Sequence, residues 1–178
     1  MKNFDERMPF ELAENEDVSR VINEIQDDSI TNLRILALSG MGKTRWVYES
    51  FRSQSDWEGI YYCNDVENAS FLAKFDLILD DDELKKRTIV LDDCPSSVLE
   101  KVNRKIYASK QKIRVVSLSN DIMNRGGTDV TLEFFSISSL EVIAQSIIEK
   151  NVEGIAPASL RQLISYTEGI PKMAVLIV

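Results

Sequence analysis

Leu33-Arg-Ile-Leu-Ala-Leu-Ser-Gly-Met-Gly-Lys-Thr44, continuing into Arg45-Trp-Val-Tyr-Glu-Ser-Phe-Arg52, is the stretch on which the reading of this chain turns. Leu33 to Leu38 is a short apolar run of the kind that forms a buried strand. It ends at Ser39 and Gly40, a tight-turn signal. From Lys43 onward Trp46, Val47 and Phe51 recur on one helical face, until the Ser53 to Asp56 cluster stops the pattern. The local order is therefore strand, glycine loop, helix. Within it, Ala37 to Thr44 has the Walker A spacing, with alanine at the position of the first glycine.

Successive backbone N–H groups in such a turn, opening onto a helix N-terminus, make a concave site for phosphate oxygens. Gly40 and Gly42 allow close backbone approach, with Ser39 and Met41 completing the loop. Lys43 can set its ammonium against the β and γ phosphates, and the Thr44 hydroxyl can occupy one magnesium position. The expected ligands are a nucleotide, ATP or ADP, and Mg2+. The bland alternative is a glycine turn carrying an incidental Gly-Lys-Thr.

Working outward, Val18, Val21, Ile22 and Ile25 mark an amphipathic helix over 17–25. Gly59 to Cys63, Thr88 to Leu91, Ile113 to Leu118 and Thr131 to Phe135 read as further strands, and Val66 to Lys74 and Val98 to Ala108 as helices. Such alternation predicts a parallel α/β sheet with helices on both faces. Beyond Phe135 the pattern is helical only. Ser138 and Glu141 suit a capping box for a helix to Lys150, Pro157 opens another to Tyr166, and Gly169 can end it. The organisation read from this is a core over 1–136 and a helical lid subdomain over 137–178. Pro171 to Val178 stops inside an apolar run, so the chain reads as part of a longer protein.

A phosphate loop also needs a carboxylate at a neighbouring strand tip to hold magnesium. Two segments compete. Leu77-Ile-Leu-Asp80-Asp81 runs into a charged stretch and resembles a solvated turn. Thr88-Ile-Val-Leu-Asp92-Asp93 is preceded by Lys85, Lys86 and Arg87 and followed by the helix-opening Pro95 and Ser96. The second is preferred, with Asp92 supporting magnesium and Asp93 orienting or deprotonating an attacking water. Two exposed acids at a strand end is the alternative. Ser117, Ser119 and Asn120, at the end of the next strand, can read the γ-phosphate or serve as ordinary turn residues.

Bulk composition narrows the rest. The 178 residues are 44% apolar, enough for one sizeable core. A formal charge of −8 argues against a surface built to grip nucleic acid or an anionic membrane. Histidine is absent, which removes Ser-His pairs and histidine-ligated metals. Cys63 and Cys94 are far apart in apolar sequence and read as buried hydrophobes in a reducing compartment, the cytoplasm. Neither a signal peptide nor an apolar run of about 20 residues is present, which reads as a soluble chain.

With these pieces in order, the chain resembles the nucleotide-binding module of the STAND class of signalling NTPases, which includes NB-ARC and NACHT proteins and bacterial antiphage relatives. The likeness rests on the segment Glu14 to Ile25, Ser-Gly-Met-Gly-Lys-Thr-Arg at 39 to 45, Val-Leu-Asp-Asp at 90 to 93, the strand ending near Ser119, and Glu-Gly-Ile-Pro at 168 to 171. It implies a sheet of five parallel strands with a helical lid, and Pro171 placed near the nucleotide base. It further implies closed ADP and open, oligomeric ATP states, slow ATP hydrolysis, and sensor and effector domains elsewhere in the full-length protein. An antiviral role is one such setting. Two departures stand out: the arginine of the first segment is replaced near Asn15, and Ser117-Leu-Ser-Asn120 replaces a threonine pair plus arginine. Arg45, Arg114 and Arg125 are the candidate substitutes. Competing readings are a nucleotide-binding scaffold that never hydrolyses, and a small-molecule P-loop kinase, against which the single arginine after Ser138, Arg161, counts.

Overall fold

The computed structural model describes residues 16–52, 59–80, 87–110, 112–121, 128–133 and 137–177. Twelve elements follow one another: α1 (Glu16–Gln26), β1 (Asn32–Leu36), α2 (Lys43–Arg52), β2 (Ile60–Cys63), α3 (Phe71–Leu79), β3 (Arg87–Leu91), α4 (Ser96–Ser109), β4 (Ile113–Ser119), β5 (Val130–Glu133), α5 (Ile137–Asn151), α6 (Pro157–Thr167) and α7 (Pro171–Ile177). The five strands form one sheet in the order β2-β3-β4-β1-β5, and every pairing is parallel.

Parallel strands need helical crossovers, and the crossovers cover both faces, which is why the strands are rich in apolar residues. On one face Leu33, Ile35, Val90, Val116, Leu118 and Leu132 meet Val21 and Ile25 of α1 and Trp46, Val47 and Phe51 of α2. On the other, Ile89, Leu91, Ile113 and Val115 meet Phe71, Phe75 and Leu79 of α3 and Leu99 and Val102 of α4. Lys105 of α4 also bonds Asp76 of α3 at 2.5 Å. The consequence for chemistry is topological. Insertion of β4 between β1 and β3 brings the C-terminal tips of β3 and β4 beside the glycine turn that leaves β1.

Three sequence expectations shift. The helix expected over Val66 to Lys74 starts later, at Phe71. Asn68 and Ser70 are the cause: the Asn68 side chain bonds Asp65 and accepts from the Ser70 N–H, so local side-chain bonds hold a turn where a helix would otherwise begin. Leu77 to Asp80, weighed as a strand, belongs to that helix, because Phe71, Phe75 and Leu79 recur every four residues and are buried together. Strand β1 ends at Leu36, with Ala37 and Leu38 already in the turn. Ser138 of the expected capping box, Asp81, Asn15 and Arg125 have side chains outside the described residues.

Helices α5, α6 and α7 form their own cluster, with Ala144, Ile148 and Ala174 buried among Ile147, Leu160, Leu163 and Ile164. Pro157 opens α6, and the chain leaves it through two successive left-handed residues, Glu168 and Gly169, before Pro171 opens α7. The cluster is seated on the core through Ile143 and Ile170, which pack on Ala37 and Met41. Met41, expected only as part of the loop, thus uses its side chain to anchor these helices. Among the described residues, no helix is long and apolar enough to cross a membrane.

Candidate functional site

The glycine turn works because two of its residues adopt backbone conformations that side chains disfavour: Gly40 at φ 89° and Gly42 at φ 85°. Left-handed residues there turn the chain sharply out of β1 and into α2, whose first bonded turn closes with Trp46 N–H to Gly42 O at 2.9 Å. The N–H groups preceding that bond are directed to the open end of the helix.

Lys43 is the first residue of α2 and is buried. Its ammonium donates to Ala37 O at 2.8 Å, Leu38 O at 3.1 Å and Asn120 Oδ1 at 2.7 Å, which uses all three of its protons. Burial pulls this ammonium below the ordinary lysine range, and the negative charges of Asp93 and Asp92 oppose that pull. The next residue, Thr44, bonds Asp92, with its hydroxyl 3.1 Å from both carboxylate oxygens.

Asp92 and Asp93 follow directly on β3, as the preferred sequence reading requires of a strand-tip acid pair. Asp92 is only 4% exposed, whereas Asp93 is exposed. Asp93 holds a left-handed φ of 49°, unusual for a residue with a side chain, and its own N–H is 3.1 Å from Asp92 Oδ1. Its carboxylate accepts from Asn120 Nδ2 at 2.9 Å. One amide side chain at the tip of β4 therefore bridges the Lys43 ammonium and the Asp93 carboxylate. Asp80 instead ends α3, exposed and away from any strand tip.

The remaining candidates divide. Ser119 Oγ accepts from Asp121 N–H and shapes the turn beside Asn120. Ser39 lies in the turn, exposed. Arg45 forms an ion pair with Glu49 one helical turn on, at 2.6 Å. Arg114 stands at the first residues of β4, the opposite end of the sheet, where it bonds Ile30 O and Glu24 O and lies over Phe51. As a phosphate-sensing substitute it is ruled out by position, about 20 Å along the strand from Asn120. Pro171 opens α7 directly against the turn. Lys172 N–H donates to Gly40 O at 3.2 Å, and a Cβ on Gly40 would come within 3.1 Å of Lys172 Cβ and 3.2 Å of Ile170 Cγ2.

Three residues escaped the sequence reading. Tyr62, on β2, donates its hydroxyl to Asp92 Oδ2, and burial together with that carboxylate pushes the phenol upward. Arg34 lies in the middle of β1, fully buried. It bonds Ser96 Oγ at 3.0 Å, and Ser117 Oγ and Cys94 O each at 3.4 Å. Burial lowers its guanidinium below the ordinary arginine range, with Cys94 and Asp121 opposing. Lys172 is the third. Only Arg34 left a signal, a charge inside an otherwise apolar run.

The donor set fits a nucleotide and a hard divalent cation. The cradle has glycine where a Cβ would intrude, an ammonium sits beneath it, and a hydroxyl and a carboxylate already meet at hydrogen-bond distance with no soft or imidazole ligand among them. Among the described residues no cluster of three or more acidic, cysteine or histidine side chains offers an alternative metal site.

A parallel sheet in this order, with a glycine turn between β1 and α2 and an acid at the tip of β3, defines the P-loop NTPase fold. Solved structures with the same architecture include RuvB from Thermotoga maritima, described as a Holliday junction branch migration motor, and PH0952 from Pyrococcus horikoshii, a signal transduction ATPase with numerous domains (STAND) carrying a tetratricopeptide repeat sensor. RuvB is 16% identical with a TM-score of 0.63, the match covering 92% of this chain and 60% of RuvB. PH0952 is 17% identical with a TM-score of 0.57, the match covering 94% of this chain and 30% of PH0952. At these identities the likeness is one of fold. No protein-family model and no curated protein matches the sequence.

Proposed function

We propose that the chain is the nucleotide-binding switch module of a STAND-type signalling ATPase, with a core over 1–136 and a lid over 137–178. It binds ATP or ADP with Mg2+, hydrolyses ATP slowly and thereby controls assembly of the full-length protein in the cytoplasm, antiviral defence being one use of such a switch. The observation that carries this reading is a single polar network joining Lys43, Thr44, Asp92, Asn120 and Asp93 from three segments at one end of the sheet. The STAND assignment draws support from the resemblance at 39–45, 90–93 and 168–171 and from the PH0952 fold.

In this reading the turn amides and Lys43 hold the phosphates, the ammonium exchanging its bonds to Ala37 and Leu38 carbonyls for phosphate oxygens. Thr44 and Asp92 hold magnesium, which when bound offsets phosphate charge. Asp93 accepts a proton from the attacking water as the new P–O bond forms and the bond to the leaving ADP breaks. Asn120 sets the direction of that carboxylate and touches Lys43, so a change at the γ-phosphate position is felt at both. The lid answers to the same event, because the first turn of α7 is bonded to Gly40. Two such arrangements of lid and turn, differing in nucleotide affinity, are all a switch needs.

Thermal unfolding with Mg·ADP and Mg·ATP is the direct test. The wild-type chain gains stability with saturating nucleotide, about 2.7 kcal/mol at a hundredfold excess over Kd, and Lys43→Ala loses the gain. Equal melting curves with and without nucleotide for the wild-type chain reject the proposal. Single-turnover ATP cleavage, compared between wild type and Asp93→Asn, separates a slow ATPase from a non-hydrolysing scaffold. Asp93 is already satisfied by Asn120, which is the observation favouring the scaffold. Equal rates would decide for it.

A further inference from the structure

Donors from three different segments reach the Asp92 carboxylate. Thr44 at the start of α2 shares one hydroxyl proton between the two carboxylate oxygens, and the Asp93 N–H reaches Oδ1. Tyr62, from the neighbouring strand β2, reaches Oδ2. The register explains how a strand residue can do this. Tyr62 pairs with Val90, two residues before Asp92 and on the same sheet face, and a tyrosine leaning along its strand spans that distance. Its ring packs on the core cluster that includes Trp46 and Val90, which fixes where the hydroxyl can be.

The three bonds are not equivalent once a cation is present. A threonine hydroxyl that turns its lone pair to a metal must reorient its one proton, which weakens its shared bond to the two carboxylate oxygens. The Asp93 N–H controls Oδ1 alone. The Tyr62 hydroxyl, which also interacts with Thr44, reaches Oδ2 from outside the phosphate cradle, so it helps to set the plane in which the carboxylate meets the cation or its water shell.

We infer that Tyr62 is a positioning residue of the magnesium side of the site: its hydroxyl, delivered from β2, orients the Asp92 carboxylate and thereby tunes metal affinity without touching nucleotide. This rests on the proposed nucleotide and magnesium site. Partners that orient a ligating carboxylate change metal affinity by about ten- to a hundredfold when removed. Because Tyr62 shares the carboxylate with other donors, the effect belongs at the lower end of that range.

The test is a pair of titrations on the whole chain, using a fluorescent ADP analogue displaced by ADP. One is run in EDTA and the other across Mg2+ concentration. Tyr62→Phe keeps the ring and its packing, so EDTA affinity stays within about twofold of wild type while the Mg2+ half-saturation point rises about tenfold. A general loosening of the fold would lower both affinities together, and that result overturns the inference. So does a Mg2+ curve that superimposes on wild type or moves to lower concentration, the latter meaning that the phenol competes with the cation. Adding Tyr62→Phe to Asp92→Asn should change the Mg2+ curve no further, and an additive loss would place Tyr62 on another partner. If the wild-type chain fails to bind the analogue under either condition, it is the underlying nucleotide reading that falls.

Discussion

Replacing Gly40 with alanine tests whether the lid is coupled to the phosphate turn or only lies near it. The substitution has two costs that can be separated. An L-residue at φ 89° sits in the left-handed half of conformational space, worth about 1–2 kcal/mol. The added methyl would also lie 3.1 Å from Lys172 Cβ and 3.2 Å from Ile170 Cγ2, so the beginning of α7 must retreat by a few tenths of an ångström. That retreat stretches the 3.2 Å bond from Lys172 N–H to Gly40 O and loosens Ile170 against Met41, together worth about 1–2 kcal/mol. Gly154 supplies the control, since it also has a positive φ, 67°, but open space where its Cβ would go. Gly154→Ala should therefore show the backbone cost alone, about 1–2 kcal/mol, and Gly40→Ala a total of about 2–4 kcal/mol. In a chain of this size each kcal/mol moves Tm by about 2–4 °C, so the two variants differ measurably in urea or thermal unfolding. Equal losses would mean that the α7 contact bears no load, and the coupling of lid to turn would have to be abandoned.

Asp92→Asn should raise the Mg2+ concentration needed for nucleotide-dependent stabilisation, whereas Asp80→Asn should leave it unchanged. Asp80 ends α3, where a negative charge opposes the helix dipole, so its neutralisation should leave the fold as stable or more so by about 0.3 kcal/mol. A Mg2+ shift on changing Asp80 would contradict the geometry of the site. For the thiols, burial pushes Cys94 up to about 12, so iodoacetamide at pH 8 should modify it far more slowly in the native protein than in urea. Its folded value lies above the ordinary one, so the stability it contributes is complete below about pH 9 and is lost as pH rises from there toward 12. Alkaline unfolding curves should flatten in Cys94→Ala, and an unchanged slope would assign the pH dependence elsewhere.

What could be read from the sequence was whatever is local. Gly40, Gly42, Lys43 and Thr44 are adjacent in the chain, and turn, cradle and helix start are decided within a few residues. The strands were legible because burial on both faces leaves runs rich in apolar residues, as in Ile113 to Leu118, where every residue is buried although Arg114 and Ser117 interrupt the run. Apolar spacing alone overstates the helix at Val66 to Lys74, because the side-chain bonds of Asp65, Asn68 and Ser70 compete with its first turn. Strand order was illegible for a different reason. Lys43 meets Asn120 across 77 residues and Thr44 meets Asp92 across 48, and no periodicity encodes which strand lies beside which.

The two buried arginines of the sheet show how such long-range order is held once formed. Each stands among apolar neighbours in a strand and bonds mainly to neutral oxygen acceptors, with exposed Asp28, 3.8 Å from Arg114, as an added ion-pair partner. Arg114 ties β4 to the loop before β1 through Ile30 O and Glu24 O, at the end remote from the glycine turn. Arg34 performs the corresponding task near the turn: its guanidinium links β1 to β4 through Ser117 and to the start of α4 through Cys94 O and Ser96. Burying a charge largely among neutral acceptors costs several kcal/mol, a cost that an apolar residue of equal size would avoid. What the guanidinium supplies in return is direction, since its planar fork bonds several acceptors in a fixed geometry. The segment so held, 92–96, is the one that carries Asp92 and the left-handed Asp93. It is gripped from β2 by Tyr62, from α2 by Thr44, from β4 by Asn120 and from within the sheet by Arg34. A carboxylate pair at a strand tip would otherwise share the freedom of any loop. Here polar side chains from four segments surround it, and the precision of the site follows from the order of the strands.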